Sequence, residues 1–133
     1  MSSDAKPLIW VGTTLEDLKA FPDEVRQGVG YALHQAQMGA KHPDAKPLKG
    51  FGGAGVLEVV EDFDGNTFRA VYTVKFAGYV YALHAFQKKS RKGIKTSAAD
   101  LDKVKSRLKI AQEDHAARVA NEANAEVADE DEA

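Results

Sequence analysis

The stretch VLEVVEDFDGNTFRAVYTVKFAGYVYALHAF, residues 56–86, holds three runs dense in Val, Tyr, Phe and Thr: Val56–Glu61, Thr67–Lys75 and Tyr79–Phe86. β-Branched and aromatic side chains pack well on a pleated surface, so each run is expected to be a strand. Asp64-Gly65 between the first two suits a tight hairpin, and Ala77-Gly78 offers a second turn. The reading is a meander of three antiparallel strands, with one face on helices and the other freer. Side chains alternate along a strand. In the last strand this places Tyr79, Tyr81, Leu83 and Ala85 on one face, and Val80, Ala82, His84 and Phe86 on the other.

Upstream of the meander, residues 40–55 carry Pro43, Pro47 and four glycines, which is loop composition. Before that, Val25, Val29, Ala32, Leu33 and Ala36 recur at helical spacing, with Pro22 suited to the first turn and Gly39 to the stop. A shorter helix through Leu15, Leu18 and Phe21 precedes it, with Thr13 or Thr14 as its cap, and Leu8–Val11 reads as a first strand. Downstream, the basic run Lys88-Lys-Ser-Arg-Lys92 follows the last strand at once. Ser97 and Asp100 have capping-box spacing, and Leu101, Val104, Leu108, Ala111 and His115 form the buried stripe of a final helix. Past about Val119 the stripe thins to alanines and acids, and the end is expected to fray. The fold class is α+β: a helical hairpin on a small antiparallel meander, then a C-terminal helix.

The chain has 133 residues, enough for one core. Its net charge of −2 conceals an asymmetry: residues 113–133 carry eight acids against the single base Arg118, net −7, while residues 1–112 hold 17 basic against 12 acidic side chains, net +5. A basic body fits a polyanionic partner, and the acidic tail could fold back on the basic corner. There is no cysteine, hence no disulfide or thiolate metal site, and no apolar run of signal-peptide or membrane-spanning length, so a cytoplasmic protein is expected. His34, His42 and His115 sit on separate elements without ligand spacing, and no metal or other cofactor is expected. Gly50-Phe-Gly-Gly-Ala-Gly55 lacks the Lys-Ser/Thr ending of a phosphate-binding loop.

Three local motifs occur in order along these elements: Lys46-Pro-Leu-Lys-Gly50 before the meander, Phe68-Arg-Ala-Val-Tyr72 in its middle strand, and Leu83-His-Ala-Phe-Gln-Lys-Lys-Ser90 at its end. Together they resemble the HigB-like, phage Gp49-related branch of the RelE/ParE toxins over about residues 7–112. The resemblance implies a microRNase-like toxin domain at 1–112 with an acidic extension at 113–133. It implies an mRNA endonuclease that works in the ribosomal A site. It also implies a cognate antitoxin, helix-turn-helix in the HigA style. A ParE-like gyrase inhibitor and a non-catalytic, autoregulatory nucleic-acid binder are the alternatives.

Metal-free RNA cleavage uses the substrate's 2′-OH as nucleophile. It needs a proton acceptor, a proton donor for the 5′-oxygen, and cations for the phosphorane-like oxygens. Arg69 in the middle strand suits a bidentate grip on the scissile phosphate, or else a salt bridge to Glu58 or Glu61. Lys88 and Lys89 at the strand end are the next catalytic candidates, although adjacent strand residues point to opposite faces. His84 suits proton transfer near neutrality. Phe86 could stack on a base, Lys49 could close over RNA, and Arg91, Lys92 and Lys95 could contact RNA backbone. Tyr72 and Tyr81 read as packing residues. One departure matters: RelE carries a lysine pair in the strand before its counterpart of Arg69, whereas here that strand, Val56-Leu-Glu-Val-Val-Glu-Asp62, is acidic. The base therefore falls to His84 or to a lysine of the basic corner.

Overall fold

The computed structural model describes residues 5–53, 55–88 and 96–132, the side chains of 126–132 excepted. The elements in order are β1 (Leu8–Trp10), α1 (Thr14–Lys19), α2 (Asp23–Gln37), β2 (Ala45–Pro47), β3 (Val56–Phe63), β4 (Asn66–Thr73), β5 (Val80–Lys88) and α3 (Ala98–Glu132). The meander β3-β4-β5 is antiparallel as expected. Asp64 and Gly65 both take positive φ, 53° and 80°, the backbone a two-residue hairpin loop needs to follow the right-handed strand twist. Two more strands widen the sheet to five, in the order β1-β5-β4-β3-β2. β1 pairs parallel with the start of β5. β2 lies inside the stretch read as loop, and its Pro47 is tolerated because β2 is an edge strand.

Both faces of the sheet are covered, not one. On the first face, the α2 stripe Val25, Val29, Ala32, Leu33 and Ala36 packs with Leu18 and Phe21 onto Leu57, Val59, Phe68, Ala70 and Tyr72. On the second face, Val104 and Ala111 of α3, flanked by Leu101 and Leu108, cover Val56, Val71, Tyr81 and Leu83. The expected freer face fails because the α3 stripe, read correctly from the sequence, needs an apolar surface of its own. Tyr72 and Tyr81 are core residues.

Several boundaries differ from the sequence reading. Neither Thr13 nor Thr14 caps α1 with its side chain: Thr14 Oγ1 donates to the Val11 carbonyl at 2.6 Å, and Thr13 Oγ1 donates to Asp17. Pro22 stands one residue before α2, at its cap. α3 runs on without a break to Glu132, well past Val119, through residues whose alanines and glutamates are good helix formers. From 119 to 125 every residue is exposed. Among the described residues no helix is long and apolar enough to cross a membrane.

The largest correction concerns β5. Val71 of β4 faces His84, but the next residue, Tyr72, faces Ala82, so Leu83 is an extra residue opposite the Val71–Tyr72 step. This β-bulge shifts the alternation by one. Ala85 joins the α1/α2 face, while His84 and Phe86 turn to the α3 face with Tyr81 and Leu83. Strict alternation had separated His84 and Phe86 from Tyr81 and Leu83.

The α2 stripe yields a stability prediction. Leu33 is 3% exposed. Leu33→Ala should lower the unfolding free energy by about 2–5 kcal/mol, the usual range for emptying a core position. Tyr31→Ala, on the outer side of the same helix, should stay within about 0.5 kcal/mol. Urea unfolding followed by circular dichroism measures both, and equal costs would refute this assignment of the helix faces.

Candidate functional site

β4 carries a single cation among its buried residues, Arg69, on the α3 face of the sheet. Its guanidinium donates to Glu58 Oε1 at 3.0 Å and to Thr96 Oγ1 at 3.3 Å, and Thr96 in turn donates to Glu58 Oε2 at 2.6 Å. Glu58 lies on β3, diagonal to Arg69 on the same face, so the ion pair follows from the register. Both side chains are nearly buried, at 9% and 12% exposure. Such a pair survives desolvation only because each charge is met by the other and by a hydroxyl.

These three residues line the wall of a cleft of about 280 Å³. β2 places Lys46 directly opposite Glu58, and Lys49 follows two residues after the strand. Leu101, in the first turn of α3, closes one side. The cleft thus holds one fixed guanidinium, one carboxylate, one hydroxyl and two exposed lysines.

His84 and Phe86 line a different cleft, about 390 Å³, at the edge of β5 between α1 and α3. The His84 ring stacks on Phe86 at 4.3 Å and 22°. Its Nε2 lies 2.8 Å from Asp100 Oδ1, while Asp100 also accepts from Ser97 Oγ at 2.8 Å and donates its backbone N–H to that oxygen at 3.1 Å. The capping pair read from the sequence therefore also anchors the histidine. Burial holds the His84 imidazole below its ordinary 6.5, outweighing the upward pull of Asp100. Burial also opposes ionisation of Asp100, but the hydrogen bonds from His84 and Ser97 bring that carboxyl below its ordinary 3.8. At neutral pH this gives a neutral imidazole that donates from Nε2 to a carboxylate. Nδ1 is buried and has no hydrogen-bond partner among the described residues.

The structure therefore divides the residues singled out in the sequence. Arg69 and Lys49 share the first cleft; His84 and Phe86 share the second, and the first turn of α3 contributes to each, Leu101 to one and Asp100 to the other. Phe86 and Arg69 are direct cross-strand partners, and Lys88, opposite Thr67, lies two positions further on the same face. Phe86 presents one ring face to His84. Lys89, Arg91, Lys92 and Lys95 lie outside the described residues; their segment joins Lys88 to Thr96. Sequence reasoning named Glu58 only as a possible salt-bridge partner and missed Lys46 and Thr96. Lys46 was legible as part of the Lys46-Pro-Leu-Lys49 motif, but Thr96 carries no sequence signal. His34 lies on α2, His42 between α2 and β2, and His115 on α3 against the Ala77 carbonyl, at 3.0 Å.

The depressed His84 value fixes the sign of a pH effect. The unfolded chain takes up a proton near 6.5 and the folded chain resists it, so this contribution to stability is complete above 6.5 and is lost as the pH falls below it. The wild type should lose stability between pH 7.5 and 5.5, and His84→Gln should flatten that loss. Denaturant midpoints at the two pH values decide it; identical slopes in both proteins would sink the assignment.

Comparison with known proteins places these features. The family described as Phage derived protein Gp49-like (DUF891) matches residues 16–109. No curated protein matches the chain. Among solved structures, the free state of a double arginine-to-alanine mutant of the E. coli toxin RelE aligns with a TM-score of 0.50 at 16% identity, covering 77% of this chain and 93% of RelE. The Mycobacterium tuberculosis toxin–antitoxin complex RelBE2 aligns with a TM-score of 0.42 at 17% identity, covering 67% of this chain and 98% of that one. The likeness to RelE is one of fold. The family match runs from within α1 through α2, β2 and the whole meander into the first part of α3, most of the chain, and the chain belongs to the phage-derived Gp49-like family.

Proposed function

We propose that this chain is the toxin of a type II toxin–antitoxin system and cuts messenger RNA in the ribosomal A site without a metal. In this reading it acts in the cytoplasm and is held in check by an antitoxin, helix-turn-helix in type. The toxin unit is residues 1–112, and 113–133 is an extension. The observation that carries the reading is the Arg69 guanidinium, fixed in the wall of a cleft with Lys46 and Lys49 beside it. A guanidinium held by hydrogen bonds is already oriented for phosphate oxygens, and such preorganised charge is usually the largest catalytic contribution.

The roles proposed for the cleft residues are these. The scissile phosphate takes the Arg69 guanidinium in competition with Glu58. The 2′-oxygen attacks phosphorus, its proton passes to the Glu58 carboxylate, and the bond to the 5′-oxygen breaks. That oxygen takes a proton from a lysine ammonium at the cleft, Lys46 or Lys49. The products are a 2′,3′-cyclic phosphate and a 5′-hydroxyl. Lys88 and Lys89, with Arg91, Lys92 and Lys95, contact the RNA backbone in this reading. His84, bonded to Asp100, supports the site and does not transfer the proton.

The test is a reconstituted translation reaction in which mRNA ends are mapped by primer extension. Wild type should produce new ends within codons. Lys49→Ala leaves the Arg69–Glu58 pair in place and should slow cleavage about tenfold. Glu58→Gln should slow it by about 10²–10⁴, the usual weight of a general base. Intact mRNA together with inhibited DNA gyrase would overturn the reading in favour of a gyrase poison. Intact mRNA with nucleic-acid binding alone would overturn it in favour of an autoregulatory binder.

A further inference from the structure

The Leu83 bulge decides which side chains of β5 accompany Arg69, and the structure shows what holds it. Arg107, on α3, donates from Nη1 to the Leu83 carbonyl at 2.9 Å and to Thr14 Oγ1 at 3.2 Å, and from Nη2 to Thr13 Oγ1 at 3.1 Å. One guanidinium on α3 thus ties together the bulge and the start of α1, at Leu83 and Thr14, which precede Arg107 by 24 and 93 residues. Room for it exists because residue 12 is glycine. A Cβ at Gly12 would lie 2.9 Å from Arg107 Nε and 3.0 Å from Cζ, and the backbone there has φ of +59°. The loop that turns from β1 into α1 is therefore shaped around the Arg107 head group.

We infer that Arg107 is a positioning residue of the RNA-cleaving face, acting by clamping the Leu83 bulge so that His84, Phe86 and Lys88 lie on the side of the sheet that carries Arg69. Without the bulge, regular pairing would turn these three toward α1 and α2 and bring Ala85 and Gln87 up beside Arg69. Arg107 need not touch RNA for this. The bulge carbonyl has left the regular ladder, and a charged donor meets it there. The inference rests on the cleavage reading for its effect on activity, but the clamp itself is independent of that reading.

The experiment has two readouts on full-length protein. Histidine ring signals, followed by nuclear magnetic resonance through a pH titration, report the surroundings of His84. Cleavage kinetics on ribosome-bound mRNA report the face. The Arg107 and Lys103 charges also hold the His84 titration down. In Arg107→Ala it should therefore move up toward the ordinary 6.5 from loss of the charge as well as of burial. In Arg107→Lys and Gly12→Ala, which keep the charge, an upward move reports lost burial. The turnover number should fall about tenfold or more with KM little changed, because the groups are misplaced rather than removed. Arg107→Lys, which can still reach the Leu83 carbonyl, should lie between the two. Gly12→Ala pushes the guanidinium aside without removing it and should act in the same direction, so it decides the matter if Arg107→Ala does not fold. An unmoved His84 titration in folded Gly12→Ala overturns the clamp. A wild type that cuts no RNA, with His84 still shifted in the variants, overturns the cleavage reading and leaves the clamp standing.

Discussion

Alternation along a strand is the constraint on which the site depends, and β5 obeys it only in two halves. From Val80 to Ala82 the strand is registered by β1 on one side and β4 on the other. Beyond Leu83 it is registered by β4 alone, one residue out of phase. The first half serves the core: Val80 packs under α2 and Tyr81 under α3. The second half brings an imidazole and an aromatic ring to the face that Arg69 occupies. A single extra residue thus lets one strand be a core strand and a site strand, and a change of phase costs less than a change of fold because only one pairing is interrupted.

The Arg69–Glu58 pair is the second consequence of that face. Isolated, either charge would be costly at this depth, since removing one partner of a buried pair typically costs about 3–5 kcal/mol. The pair sits where α3 begins, and α3 supplies little apolar cover there, only the half-buried Leu101. Further along, Val104 and Ala111 close the sheet completely. Apolar cover therefore grades along α3 from an open, charged end to a sealed one. The cleft is the place where the helix has not yet closed over the sheet, which is why charged groups, Lys46, Lys49, Glu58 and Arg69, stand among apolar residues such as Pro47, Leu48 and Leu101.

Much of this was legible in the residues. The α2 stripe was named position for position, since all five residues are buried, and the Asp64-Gly65 turn has the backbone its residues demand. Strong periodicity and turn chemistry are local, and local signals survive folding. What was missed is non-local. The bulge depends on Arg107, 24 residues further on, and no pattern within β5 announces it. β2 forms only because β3 offers an edge, against the loop composition around Pro47. Thr96 joins the Arg69 pair through a contact 27 residues apart. Among the site candidates, Arg69 and Lys49 line one cleft and His84 another, and the first turn of α3, which no strand pattern locates, contributes to both.

The long helix carries the charge asymmetry of the chain. The first turns of α3 mix Asp100 and Asp102 with Lys103, Lys105, Arg107 and Lys109, and in the far half, from Glu113 onward, acids outnumber the single base Arg118. That far half is fastened to the sheet as far as Glu122: Tyr81 Oη donates to Asp114 at 2.8 Å, Tyr79 Oη donates to Glu122, and Arg118 bonds Asp114 at 2.6 Å while lying over the Tyr79 ring. Burial and the bond to Asp114 push the Tyr81 phenol well above its ordinary 10.0, so it stays a donor. A continuous helix rises 1.5 Å per residue, which puts Glu122 about 35 Å from the first turn of α3. The screening length at physiological salt is about 8 Å. At that separation the Glu122 carboxylate is screened from a phosphate arriving at the first turn of α3. The tyrosine contacts hold the helix along the sheet as far as Glu122, so the charge a phosphate meets in the cleft is set by the cleft's own side chains, Lys46, Lys49 and Arg69 against Glu58.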